Sequence, residues 1–135
     1  MSNEAVSIST SKYITTVKAK IDGRIYIVRK IGAGEQLDLS REATKLQEFQ
    51  VESANLRAKY EVAKTKEEKQ KLEAEFAKYA NTIGEIADRI EAVYVGLFDD
   101  GEDGRYSKKL VHTLGINNIR EVYEEIMGVL DEKSA

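Results

Sequence analysis

The apolar positions change period along the chain, and each period predicts a different element. In the first stretch Thr15, Val17, Ala19 and Ile21 fall on one side, and Thr16, Lys18 and Lys20 on the other. Alternation with period 2 is the mark of a half-buried strand. Asp22-Gly23 follows, a dipeptide suited to a type I′ turn because both central positions need φ > 0. Arg24 to Ile31 is rich in Ile, Val and Tyr. Residues 12–31 are therefore predicted to form a β-hairpin. A lone hairpin is marginal in water, so it must pack on a helix or pair with another strand.

Beyond Gly32-Ala-Gly34, which reads as the turn that ends the hairpin, the period lengthens. Ser40 is a plausible N-cap for a helix over about 40–63. Its seam is Leu46, Phe49, Ser53, Leu56, Tyr60 and Ala63, separated by alternating steps of three and four. Thr65 followed by Glu68 makes a capping box, which opens a second helix over about 66–98. Its seam is the strongest pattern in the chain: Leu72, Phe76, Tyr79, Ile83, Ile86, Ile90, Val93 and Leu97, with Lys, Glu and Asp on the remaining faces. A heptad repeat held this long predicts helix pairing. Gly84 inside it costs up to ~1 kcal/mol against alanine.

Asp99 to Gly104 is rich in acid and glycine and predicts a solvated loop. A short helix over about 107–114 follows, stopped by Gly115. Asn118 is the expected cap of a last helix over about 118–130, with Ile119, Val122, Ile126, Met127 and Leu130 on its apolar face. Residues 1–11 read as a flexible arm, and residues 131–135 as a frayed tail. The predicted class is α+β, mostly α: an N-terminal hairpin, a long antiparallel helical hairpin and two short C-terminal helices. Residues 32–130 are expected to pack with the hairpin as one domain.

Helix lengths sharpen this picture. About 24 and 33 residues correspond to roughly 36 and 50 Å. The connection near Lys64 and Thr65 permits only an antiparallel pair. The second helix should outrun the first by about nine residues, bringing Ile90, Val93 and Leu97 to the hairpin and the C-terminal helices. A two-helix arm has only one covered side, which predicts self-association or a protein partner. The second-helix seam (Leu72, Phe76, Tyr79, Ile83, Ile86, Ile90, Val93, Leu97) is the candidate partner-binding surface.

Composition agrees with long helices. The chain has no proline, where average usage of about 5% predicts six or seven. It has no cysteine, which excludes disulfides, thiolate nucleophiles and zinc fingers. Net charge is -3, from 21 basic and 24 acidic residues, giving no general attraction to nucleic acid or anionic lipid. The N-terminal residues lack the basic start and apolar run of a signal peptide. No window reaches the ~18 apolar residues of a membrane span. A cytoplasmic protein is expected, without nucleic-acid or membrane partners.

The candidate chemistry is thin. His112 is the single histidine, and it sits beside Val111 and Leu114 with Lys109 three residues before. Di-iron bundle sites need Glu-x-x-His pairs on two helices. An EF-hand wants an acidic or amide residue at position 3 and Glu at position 12. Counting from Asp99, those are Gly101 and Leu110. Gly32 and Gly34 lack the third glycine of a dinucleotide loop, since residue 37 is Leu37. The mixed-charge run Lys64–Glu75 reads as the exposed tip of the helical hairpin. No catalytic residue, metal ligand or cofactor-binding residue is expected, and none of these residues makes the chain an enzyme.

In layout, the hairpin Tyr13–Ile31 leading into helices, closed by Leu114-Gly-Ile-Asn-Asn-Ile-Arg-Glu-Val-Tyr-Glu-Glu-Ile-Met-Gly128, resembles the small tail assembly chaperones of long-tailed bacteriophages. The resemblance spans residues 12–130 and assigns no role to an individual residue. It implies a non-enzymatic assembly factor, working in the host cytoplasm, that binds the tape-measure protein and recruits tail-tube subunits. The alternative is a structural or scaffolding oligomer built on coiled-coil-like pairs, such as a virion component.

Overall fold

The computed structural model describes residues 5–7 and 16–134, with side chains described through Leu130. The elements run β1 (Thr16–Ile21), β2 (Arg24–Arg29), α1 (Ala33–Val62), α2 (Lys66–Leu97), β3 (Phe98–Asp99), α3 (Arg105–Leu114) and α4 (Ile116–Ser134). This is the mostly helical α+β class expected from the pattern. Residues 1–11, expected as a flexible arm, and 12–15, expected as the start of the hairpin, fall almost wholly outside the described residues.

The hairpin forms as its alternation dictates. Val17 pairs with Val28 and Ala19 with Tyr26, and Val17, Ala19, Ile21, Tyr26 and Val28 all join or pack on the core. Asp22 and Gly23 turn with φ of 50° and 82°, the two positive values a type I′ turn requires. A third strand was not expected. Phe98–Asp99 leaves α2 and pairs antiparallel with β2, giving the order β1-β2-β3.

Helix α1 starts earlier than Ser40. Gly32 is its N-cap, and Glu35 accepts the Gly32 N–H at 3.3 Å. The same carboxylate takes a two-pronged contact from Arg29, at 2.7 and 3.0 Å. Ser40 lies inside the helix, where its carbonyl accepts from Thr44 Oγ1 at 3.0 Å. The two long helices are therefore nearly equal, 30 and 32 residues, and the expected nine-residue surplus of the second does not exist. Ile90 and Leu97 still join the hairpin and C-terminal helices in one core, with Val93 packed against it. They do so beside the opening turns of α1, whose Leu39 packs there too.

Thr65 caps α2 by accepting the Glu68 N–H at 3.1 Å. The return bond goes one residue early, from Lys64 N–H to Glu68 at 3.3 Å, rather than from Thr65. Antiparallel pairing with α1 is marked by Glu42–Arg89 at 3.1 Å, Phe49 against Tyr79 with ring centres 5.6 Å apart, and Tyr60 donating to Glu73 at 3.0 Å.

Two further boundaries differ from expectation. Helix α3 opens at Arg105, and α4 opens at Ile116. Gly115, at φ 82°, closes α3 with its N–H on the Val111 carbonyl and accepts the Ile119 N–H that begins α4. Asn118 is therefore inside α4, and its side-chain amide donates back to the Leu114 carbonyl at 2.8 Å. The backbone of α4 stays helical through Ser134, into the segment expected to fray.

The core gathers at the base, where sheet, proximal α2, α3 and α4 meet. Tyr26 and Phe98 pack edge to face at 6.4 Å, as do Tyr94 and Tyr123 at 6.1 Å. Aromatic contacts of this geometry add to the burial of their area.

Candidate protein-binding surface

The seam of α2 divides into two regimes along its length. At the base Ile86, Ile90 and Leu97 are 1%, 2% and 0% exposed, absorbed into the chain's own core. Leu72, Phe76, Tyr79, Ile83 and Val93 are half-buried. Toward the tip α2 has only α1 to pack on, and Leu56 is the one buried residue of α1. The core absorbs Ile86, Ile90 and Leu97 and has Val93 packed against it, which leaves Leu72 and Phe76 on the open cleft at the tip.

Two recesses follow from this geometry. Near the tip, Leu56 and Tyr60 of α1 and Leu72, Phe76 and Ala77 of α2 line an open apolar cleft of ≈ 250 Å³, with Arg57 and Glu73 at its rim. Arg57 stands 5.9 Å over the Phe76 ring and Lys69 5.7 Å over Tyr60, so with Glu73 the cleft has a border of mixed charge. At the base, α1 and α4 part over Ile90 and Tyr94 to leave a groove of ≈ 600 Å³. Leu39, Leu46 and Ile116 give it apolar walls, and Gln36, Gln47, Gln50, Asn117, Arg120 and Glu124 give it polar ones. No periodicity announces this groove, because it depends on how α4 lies relative to α1.

The acidic loop is less solvated than its composition suggests. Asp100 is buried. Its carboxylate accepts the N–H groups of Glu102 (2.8 Å), Gly104 (3.1 Å), Tyr106 (2.6 Å) and Ser107 (3.0 Å). Burial alone would raise its pKa, but these four donors outweigh it and hold the carboxyl well below the usual carboxylate range. The N–H groups at the start of α3 are otherwise orphaned, so Asp100 is the helix's cap. Ser107 Oγ donates to the Phe98 carbonyl, tying the same turn to β3. The sequence signal is an acid followed by Gly-x-x-Gly before a helix, a composition that a solvated loop shares.

His112 is exposed on α3. Among the described residues no group of three or more His, Cys, Asp or Glu side chains is placed to hold a metal ion, and no helix is long and apolar enough to cross a membrane. No family model, curated protein or solved structure matches the chain.

Proposed function

We propose that this protein is a non-enzymatic, protein-binding assembly factor whose helical arm takes up an amphipathic helix of its client. The observation that supports it is the open cleft between Leu56, Tyr60, Leu72 and Phe76 at the end of a two-helix arm. Helix-in-groove recognition needs an apolar slot that accepts side chains spaced by three and four residues, and the arm supplies one. The layout resemblance to tail assembly chaperones points to a tape-measure type of client, a long helical protein whose apolar faces need covering before assembly.

The test is co-purification from the native host, with a photo-crosslinker at Phe76. The expected result is one dominant crosslinked partner, lost in Leu72→Glu and Phe76→Glu variants that retain their helical signal. A chain recovered alone, or a partner retained by both variants, overturns the reading. Mass spectrometry of the finished assembly separates the alternative: a chaperone is absent from it, and a structural component is present.

A further inference from the structure

The outer face of the sheet carries a pattern that the client reading does not use. Ile25 and Ile27 stand 58% and 42% exposed there, on the side opposite the core. The strand register places Lys18 opposite Ile27, and Ile27 opposite Asp99. Cross-strand neighbours share a face, so one row runs cation, apolar, anion from β1 to β3. The next row sets Lys20 opposite Ile25. Asp103 lines the same shallow depression as Ile27 and Asp99 and adds a second acid on the β3 side, while Arg29, also in its lining, is engaged by Glu35. Neither lysine has an ion-pair partner among the described residues. Asp99 commits one oxygen to the Gly101 N–H at 2.9 Å.

A row with opposite charges at its ends and an apolar centre is complementary to its own reverse. Consider two copies stacked face to face about a two-fold axis parallel to the strands. The axis carries β1 of each copy over β3 of the other, and β2 over β2. Lys18 then meets Asp99 of the second copy, twice, and Ile25 and Ile27 meet their own counterparts. Packed sheets stand about 10 Å apart, a gap that a lysine and an aspartate reaching from opposite sides can close. The contact is isologous, the kind that closes a dimer and stops. Edge-to-edge growth through β1 is disfavoured by its two lysines.

We propose that this chain forms a two-fold homodimer through the outer faces of its sheets, with Ile25 and Ile27 at the centre and reciprocal Lys18–Asp99 pairs at the flanks. Three strands of up to six residues make a patch of roughly 300 Å² per copy. A standard interface buries about 800 Å² per partner. The dimer is accordingly weak, concentration-dependent and weakened by salt. It does not rest on the client reading, since the arm lies outside the interface.

Sedimentation equilibrium tests it, over about 10 μM to 1 mM and at low and high salt. The wild type should show a reversible monomer–dimer equilibrium that weakens with salt. Lys18→Asp and Asp99→Lys should each weaken self-association about tenfold or more, because like charges then face each other. An equimolar mixture of the two variants should recover the dimer, since each swapped charge then meets its opposite. Ile27→Lys should abolish it. Circular dichroism melts check that each variant keeps its fold, Asp99→Lys in particular because it gives up the Gly101 N–H. A wild type monomeric throughout, a Lys18→Asp variant that dimerises as well as wild type, or a folded mixture that stays monomeric would overturn the proposal.

Discussion

The hydroxyl of Tyr123 donates to the Arg29 carbonyl at 3.0 Å, across 94 residues of chain. It also accepts the Ile31 N–H at 2.8 Å. One side chain of α4 thus satisfies two backbone groups between the last residue of β2 and the start of α1. The same segment is anchored from its other side by Arg29 on Glu35, so strand, helix and C-terminal helix are joined at one point.

Tyr123→Phe keeps the ring in the core and removes both bonds. Leaving a part-buried donor and acceptor without this partner is expected to cost about 1–3 kcal/mol, read as a lower denaturation midpoint with helical signal unchanged. Hydrogen exchange at the Ile31 amide should accelerate selectively. An unaltered Ile31 rate would mean that the hydroxyl does not hold this junction.

Asp100 gives the fold an acid limb with a definite sign. Its folded pKa lies below the unfolded value of about 3.9. The ionised carboxylate therefore stabilises the native state above that pH, and the contribution is lost as pH falls through the folded value. Asp100→Asn keeps one acceptor oxygen and loses the charge. The expected cost near neutral pH is about 2–4 kcal/mol, and the gap from wild type should close as pH drops below about 4. A gap that stays constant from neutral to strongly acidic pH contradicts the assignment.

Three core tyrosines set the alkaline limit. Burial raises the phenol pKa of Tyr26, Tyr94 and Tyr123, in the last against the pull of the Ile31 N–H. The folded values exceed the unfolded value of about 10. Their neutral forms stabilise the fold below that pH, and the effect is lost as pH rises through the folded values. Tyrosinate absorbance should rise for these three only as the circular dichroism signal collapses. Early ionisation of all seven tyrosines with the fold intact would be inconsistent with their burial.

The two regimes of the α2 seam predict unequal mutational costs. Ile86→Asp places a charge in a fully buried site and should cost about 4 kcal/mol or more. Leu72→Asp, at the half-open tip, should cost about 1–2 kcal/mol. Urea denaturation of both variants measures the ratio. Equal losses would mean that the tip is packed as tightly as the base.

What was legible in the chain was whatever depends on near neighbours. Val17, Ala19 and Ile21 announced their strand, Asp22-Gly23 its turn, and Thr65 with Glu68 the start of α2. The α2 seam was legible except at one step, where Tyr94 is buried and Val93 only half-buried, and its periodicity could not tell Ile90, which the core absorbs, from Phe76, which lines an open cleft. Where a boundary depends on a distant group, local reading missed it. The early start of α1 relies on Glu35 being held by Arg29 from the strand. Strand β3 exists because β2 offers it an edge, and the role of Asp100 appears only once α3 has turned its N–H groups toward it. The base groove between α1 and α4 belongs to the same class.

The three-residue reversal at Ala63–Thr65 has a consequence for how the molecule is assembled. Val28 and Phe98 pair directly, yet they lie on either side of the whole two-helix segment. Closing so long a loop by diffusion would pay its entropy before any contact rewarded it. The helices can instead zip from the reversal toward the base through contacts that are each close in sequence along the folded-back chain. By the time the zipper reaches Ile86, the strand at residue 98 has been delivered beside its partner. A non-local sheet, ordinarily slow to find its register, is thereby expected to form at a pace set by a helical hairpin.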